Sequence, residues 1–404
     1  MKVLQVNCVY NTGSTGNVTA DLHHALPKRG IESVVCYGRG GKTDEKHVYK
    51  TCGELYSKFC HLLTCFDGVM YGKCFFSTHK LIHIIKKEKP DIVHLQCING
   101  YFVNIYAFVQ WLNKHNIKTV LTLHAEFMYT ANCGHALECE QWIHGCQHCS
   151  RYRRETKSFW FDRTAASWKK MQKAFDGFQN LQIVSVSEWL RSRAERSDIL
   201  KSFPHRVIYN GIDTTVFKRN ANTAAIRKQH GIADSTKVVL HVTASFSSPL
   251  KGGKYILELA EKSQGQDVCF VIIGNKDTSI SFPANVIDVG RVEDREMLAA
   301  YYSMADLSVI ASERETFSMP VAESLCCGTP VVGFKAGAPE QIALREYSAF
   351  VEYGDTDALY VAMQQMLCRS FDRERIAENA AERYGSENMV AEYVRLYDEM
   401  KENL

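Results

Sequence analysis

Two carboxylates, Glu315 and Glu323, stand with seven residues between them in the segment Ser312–Gly333, SERETFSMPVAESLCCGTPVVG. Between them Pro320 sits where it can open a helix rather than break one, because a first-turn residue has no intrahelical N–H bond to lose. Gly328 supplies a helix stop, and Thr329-Pro330 ends the helix before the apolar strand Val331–Phe334. The string therefore predicts a strand, loop, helix, strand unit with one carboxylate on the loop and the other one turn into the helix. Such a helix start offers unpaired N–H groups at a positive dipole end, which suits the phosphates of a nucleotide. A carboxylate beside it can accept hydrogen bonds from sugar hydroxyls. Two surface acids on an ordinary β-α-β unit would show the same spacing. The full string, which runs on through a Gly-rich turn to Ala338-Pro339-Glu340, is far more specific than the pair alone.

Three further groups could join this chemistry. Gly13–Gly16 forms a polar turn after the first apolar run, and its small residues would let backbone N–H groups approach a diphosphate or an acceptor. It lacks the G-x-G-x-x-G spacing and the downstream acid of a dinucleotide fold, which counts against a nicotinamide or flavin enzyme. His124 ends the run Thr119–Leu123, where α/β proteins place their chemistry; the alternative is a hydrogen-bonded core histidine. Lys251, in Leu250-Lys251-Gly252-Gly253, is a cation at a strand-to-helix turn that could neutralise a leaving diphosphate, or a solvated lysine beside a helix-opening glycine. Arg291, with the amides of Ser318 and Met319, would share that charge. Asn99 and Tyr101, with Asn104, follow the strand ending at Leu95 and could line an acceptor pocket, with an ordinary loop and buried helix as the alternative.

Cys133, Cys139, Cys146 and Cys149 fall as C-x5-C-x6-C-x2-C within seventeen residues. Fifteen cysteines in a chain whose MKVLQVNCVY start reads as a first strand rather than a secretory signal argue against a disulfide framework and for reduced, cytoplasmic thiols. The cluster reads either as a structural zinc site of four thiolates, with no open position for catalysis, or as free thiols lining a loop.

The elements that must position these residues alternate between strand and helix, twice over. Strands are predicted at 2–9, Ser33–Tyr37, Ile92–Leu95, Thr119–Leu123 and Ile183–Val186, and again at Val238–Val242, Val268–Ile273, Val286–Val289, Leu307–Ile310 and Val331–Phe334. This is the habit of two doubly wound α/β domains, and 404 residues suit two cores better than one. The boundaries are placed at 1–203, with a Cys-rich insertion at 131–150, at 204–385, and at an amphipathic last helix, 386–404. Hydrophobic content of 46% and charged content of 23% are those of a soluble globular protein. The uncharged run Ile92–Asn113 is broken by His94, Gln96, Asn99 and Asn104, which is costly in lipid and ordinary in a protein interior. Arg151–Lys173 interleaves bases with Phe159, Trp160, Phe161 and Trp168. It could lie on an anionic membrane or bind nucleic acid, although such a pattern is more often a helix with an aromatic core stripe and a solvated basic face.

Taken together, the opening motif, Thr122-Leu123-His124, Val184-Ser185-Val186-Ser187, Asn210-Gly211-Ile212-Asp213 with Phe217, Lys251-Gly252 and Tyr301–Asp306 resemble the retaining glycosyltransferases of family four along nearly the full chain. Within that family the chain looks closest to bacterial enzymes that build capsule, exopolysaccharide or colanic-acid-type polymers. The resemblance implies a GT-B fold, two Rossmann-like domains facing a cleft, with the last helix packing back on the first domain. It implies transfer of a sugar from a nucleoside-diphosphate donor to a hydroxyl of a glycan or lipid-linked glycan, with peripheral membrane contact and no nucleic-acid partner. Carried over residue by residue, Glu323 binds the ribose hydroxyls and Glu315 faces the donor sugar. His124 contacts that sugar, and Gly16, Lys251, Arg291, Thr316, Phe317, Ser318 and Met319 hold the rest of the donor. No metal is implied for catalysis, and front-face attack is implied in which the leaving phosphate takes the acceptor proton. Three positions depart from the family's habit: Ala125-Glu126 after His124, Thr316 where Gly is usual, and Ser245-Phe246 where an Arg often precedes the lysine. A phosphorylase or isomerase on the same scaffold, or a nucleotide-sugar-binding protein without turnover, would share the fold.

Overall fold

The predicted alternation is realised as thirteen parallel strands in the computed structural model, which describes residues 1–220 and 223–402. Seven form one sheet: β1 (Lys2–Asn7), β2 (Glu32–Tyr37), β3 (Val48–Lys50), β4 (Ile92–Leu95), β5 (Thr119–Leu123), β6 (Leu181–Ser185) and β7 (His205–Val207), in the order β3-β2-β1-β4-β5-β6-β7. Six form the other: β8 (Lys237–Val242), β9 (Val268–Ile273), β10 (Val286–Gly290), β11 (Leu307–Ile310), β12 (Val331–Phe334) and β13 (Ser348–Val351), in the order β10-β9-β8-β11-β12-β13. Every pairing is parallel, Leu4 lying opposite both Val34 and Val93. Helices cover such sheets on both faces, so the central strands read as unbroken apolar runs, and every residue of β4, β5, β11 and β12 is buried.

The chain divides into two units, Met1–Tyr209 with the residues from Val390 onward, and Asn210–Met389. The first therefore runs past the 203/204 boundary read from the sequence, because His205–Val207 pairs with Ile183–Ser185 as an edge strand. This strand, β3 and β13 are absent from the sequence reading. They are three or four residues long and partly polar, and their neighbours supply the pairing that their own composition does not. The C-terminal helix Ser386–Glu402 brings Tyr393 and Tyr397 against the first sheet. Their hydroxyls lie 2.8 Å from Thr122 Oγ1 and 2.7 Å from His94 Nδ1, with all four residues buried.

In each sheet the winding reverses once, between β1 and β4 in the first and between β8 and β11 in the second. Parallel α/β sheets bind ligands beyond the carboxyl ends of the strands at such a reversal, where the loops diverge. The turn at Gly13–Gly16 and the loop with Asn99 and Tyr101 flank the first reversal. Those of Lys251 and Glu315 flank the second.

Candidate functional site

In the second unit the loop after β8 ends in a short 3-10 turn, Pro249–Lys251, followed by Gly252 with a φ of +69°. A Cβ there would lie 2.0 Å from the Ala311 carbonyl oxygen, so only glycine lets this loop press against the end of β11. The Glu313 N–H then donates to the Leu250 carbonyl at 3.0 Å. This contact delivers Lys251 to Glu315, with Nζ 2.7 Å from Oε1. The Glu315 backbone is fixed from the other side by the loop after β12: its N–H donates to Ala336 O at 2.9 Å and its carbonyl accepts from Ala338 N at 3.2 Å. The Glu340 carboxylate in turn accepts the Ala336 and Gly337 N–H groups at 3.0 and 3.1 Å. Glu315 thus sits where three loops meet, held by backbone on two sides.

The helix Met319–Cys326 starts immediately afterwards with Pro320 in its first turn, and Gly328, at φ +74°, follows its end. Its N-cap, Ser318, has a φ of +80° and makes no side-chain cap bond; the Ser318 hydroxyl is buried without a protein partner among the described residues. A strained, uncapped helix start beside a Lys–Glu pair is a place for an anion with hydroxyl-bearing substituents. Glu323, one turn in, accepts from the Tyr302 hydroxyl at 3.1 Å. Burial pushes its pKa up to about 7, against the opposing pull of that hydrogen bond and of the Arg295 charge. Arg295 lies over the Phe217 ring at 5.5 Å and 3.8 Å from Asp213. Phe317 is buried, while Thr316 and Met319 are partly exposed on the same turn.

Arg291, nominated from the sequence for the phosphates, is exposed and paired with Glu293 at 3.1 Å. The arginine whose charge acts on Glu323 is Arg295. Sequence reasoning assigned no role to Arg295 or Tyr302, though their spacing of seven on the helix Arg295–Met304 is the signal that puts both on one face.

In the first unit His124 follows β5 and its Nε2 lies 2.8 Å from Gln96 Oε1 at the end of β4. Gln96 also donates to Gln5 Oε1 at 3.3 Å, which orients the amide and makes His124 Nε2 the donor. Burial lowers the His124 pKa to about 4, so the ring is neutral at physiological pH with Nδ1 as its acceptor. Gly16 is buried in the first turn of the helix Gly13–Ala25. Of the three acceptor candidates, Asn104 is engaged structurally: it caps the helix Ile105–Lys114 through Ala107 N at 3.1 Å and donates to Gly72 O at 2.9 Å. Asn99 accepts from the Cys97 thiol at 3.0 Å. Tyr101, at φ +55°, packs its ring against Tyr71 and His61.

Of the two readings of the cysteine cluster, the structure displays the free thiols. All fifteen cysteines are free, and no group of three or more His, Cys, Asp or Glu side chains is gathered to hold a metal ion among the described residues. Cys133, Cys139, Cys146 and Cys149 share one loop region, where burial raises the Cys133 and Cys149 thiols and pushes Cys146 up to about 12. What organises the insertion is Trp142, buried, with Nε1 donating to Cys139 O at 2.6 Å and its own carbonyl accepting from Trp168 Nε1 at 2.8 Å. The Arg193 guanidinium lies over Trp142 at 5.0 Å and pairs with buried Glu126 at 2.8 Å.

Two parallel sheets, each with polar or charged groups at its winding reversal, are the architecture of the GT-B class, and comparison with known proteins agrees. The family model described as Glycosyltransferase Family 4 matches residues 15–216, and that described as Glycosyl transferases group 1 matches residues 222–383. The chain belongs to glycosyltransferase family 4. It is 22% identical over 425 residues, 99% of this chain and 100% of the other, to the putative colanic acid biosynthesis glycosyl transferase WcaC of Escherichia coli. It is 25% identical to the N-acetyl-alpha-D-glucosaminyl L-malate synthase of Bacillus anthracis over 53% of this chain, and it spans 62% of that relative's length. The crystal structure of Anabaena HepE in complex with UDP-glucose superposes with a TM-score of 0.68 at 16% identity, covering 98% of this chain and 100% of that one, a likeness of fold.

Proposed function

We propose that the protein transfers a sugar, with retention at the anomeric carbon, from a nucleoside-diphosphate sugar to a hydroxyl of a glycan or lipid-linked glycan during surface-polysaccharide assembly. The observation that carries this is the Lys251–Glu315 pair at 2.7 Å beside the uncapped start of the helix that bears Glu323. In this reading the diphosphate lies against Lys251 and the amides at Ser318–Met319. Glu323 takes the ribose hydroxyls, and Glu315, with one oxygen on Lys251, offers the other to the donor sugar. As the bond from the anomeric carbon to the phosphate oxygen breaks, positive charge develops on the sugar and negative charge on the phosphate. Lys251 and the helix start meet the negative charge without a rearrangement at that moment. The acceptor oxygen bonds the anomeric carbon on the face the phosphate leaves, and its proton passes to the departing phosphate oxygen. Phosphate neutralisation by Lys251 and backbone amides makes the reading one of metal-independent transfer, with turnover unaffected by chelator.

Support for the donor class comes from the fold shared with a protein solved with UDP-glucose, and support for the polymer context from the full-length similarity to WcaC. The test is a panel of UDP-, GDP-, dTDP- and ADP-sugars scored for thermal stabilisation and slow hydrolysis, followed by the anomeric configuration of the product. One nucleotide sugar is expected to stabilise the protein and to be hydrolysed with retention. Binding without any turnover would favour a non-catalytic nucleotide-sugar-binding protein. Release of free sugar phosphate dependent on inorganic phosphate would favour a phosphorylase.

A further inference from the structure

The helix Glu54–Asp67 is amphipathic in the wrong sense for a surface helix. Leu55, Phe59, Leu62 and Phe66 follow at intervals of four, three and four residues, one helical stripe, and all four are exposed, Leu55 by 84%. Its buried residues are Ser57, Cys60, Thr64 and Cys65. The large apolar side chains therefore face outward while small, weakly polar ones face the fold. The stripe continues at both ends. The Phe66 ring packs 5.5 Å from Phe159 and 5.4 Å from Trp160, and Phe159 N donates to Cys65 O at 2.8 Å, tying the 159–161 loop to the helix. At the other end Tyr56 lies 5.8 Å from Phe76, which is 80% exposed and follows exposed Phe75. Isolated exposed apolar residues are ordinary, but a contiguous run of this size marks an interaction surface.

The charge beside it selects the partner. Residues 151–173 carry eight Lys and Arg against two acids, a net +6 where the whole chain is +3, so the remainder of the chain is net acidic. Arg153 and Arg154 on the short helix Tyr152–Thr156 and Lys157 just after it are exposed, as are Arg163, Lys169 and Lys170 after Phe161. Arg163 lies over the Phe161 ring at 5.6 Å, and a cavity of about 390 Å³ is lined by Phe66, Phe161, Arg163 and Lys170, so cation and apolar surface are continuous. In the helix Thr164–Phe175 Trp168 is buried, which is the core-stripe reading of this stretch; the three aromatics before it are exposed. A second copy meeting this face through a two-fold axis would bring like charge against like. Exposed aromatic rings rimmed by cations fit an interface where rings sit at headgroup depth and cations meet lipid phosphates.

We infer that the face made by the helix Glu54–Asp67, Phe75-Phe76 and the 159–161 loop docks on an anionic phospholipid bilayer. None of these residues is among those assigned to the donor, so the test reads binding alone and its failure leaves the transfer reading standing. Full-length protein is sedimented with vesicles of phosphatidylcholine, with and without phosphatidylglycerol, at about 0.15 M salt. Expected are binding to the anionic vesicles, weak binding to the neutral ones, and affinity lowered about tenfold or more by Phe66→Ser with Trp160→Ser and by Arg153→Glu with Arg154→Glu. Leu55→Asn with Phe76→Asn is a third, independent pair, and an unchanged thermal midpoint shows which variants are folded. Protein that stays in the supernatant with anionic vesicles overturns the inference, as does binding undiminished in all folded variants. A dimer in light scattering that the aromatic substitutions dissolve would assign the face to a second copy and likewise overturn it.

Discussion

The carboxyl edge of the second sheet presents charged groups, Lys251, Glu315 and Glu323, whereas the residues that follow β4 and β5 at the corresponding edge of the first, Gln96, Asn99 and His124, are neutral. The charged set is held mainly by backbone: Glu315 by Ala336 and Ala338, and the Lys251 turn by Leu250 and by a glycine pressed on Ala311. The neutral set hangs on a buried side-chain network, His124 on Gln96 and Gln5, His94 on Thr122 and Tyr397, and Thr122 on Tyr393. Backbone positioning tolerates charge because ligands and solvent can reach the ionised tips. A buried network keeps its histidines uncharged, and burial lowers His94 to about 3 and His124 to about 4. The difference suits what the family resemblance implies for each set, a diphosphate for Lys251 and an uncharged sugar for His124.

The sharpest way to break this contrast is to remove the charged pair. Glu315→Ala and Lys251→Ala are each expected to reduce turnover by about 2–4 kcal/mol, with smaller effects on nucleotide affinity. Turnover within a factor of about three of wild type in both would remove the site assignment. Glu323→Ala should act on the other parameter, weakening nucleotide binding by about 2–3 kcal/mol, since a partly buried carboxylate accepting two hydroxyls is lost. Calorimetry showing unchanged affinity would reassign the ribose contact.

The pH profile sharpens the comparison at a smaller magnitude. Glu323 accepts a hydroxyl on each of its oxygens only as a carboxylate, and its pKa is raised to about 7. About a tenth is then ionised at pH 6 and about nine tenths at pH 8, so nucleotide affinity should rise roughly tenfold between them and fall away at lower pH. The sign for stability is the reverse. The ligand-free fold holds a proton that the unfolded chain has already released, so this group costs stability as pH rises from the ordinary glutamate range through about 7. Glu323→Gln should abolish both trends, and an affinity profile that stays sloped in that variant would locate the titration elsewhere. His124, neutral throughout this range, adds no slope. The smallest expected effect is that of Gln96→Ala, which frees the His124 ring: a severalfold loss in kcat with the nucleotide KM unchanged. A change in nucleotide KM instead would erase the division of labour between the two edges.

Much of this was legible along the chain because parallel α/β sheets write themselves as apolar runs separated by turn residues. The string around Glu315 and Glu323 carries its own proline start and glycine stop, so the helix and its two carboxylates could be placed by local rules alone. The acidic spacing, the strand-end histidine and the lysine turn were readable for the same reason: residue type and position relative to a strand decide them. Other features depend on what packs from far away in sequence. Short edge strands such as His205–Val207 exist because a neighbour pairs with them, Asn104 proves to be a helix cap once Ala107 and Gly72 are in place, and the charge of Arg295 acts on Glu323 only once the helix Arg295–Met304 is packed. The four cysteines have metal-like spacing and share one loop region, and whether their side chains converge as ligands is a matter of tertiary packing that spacing along a chain does not decide. The outward face of the helix Glu54–Asp67 could not be read from its periodicity either, since a 3.6-residue repeat shows that a stripe exists and only the packing of Ser57, Cys60 and Thr64 against the fold shows which side of it meets solvent.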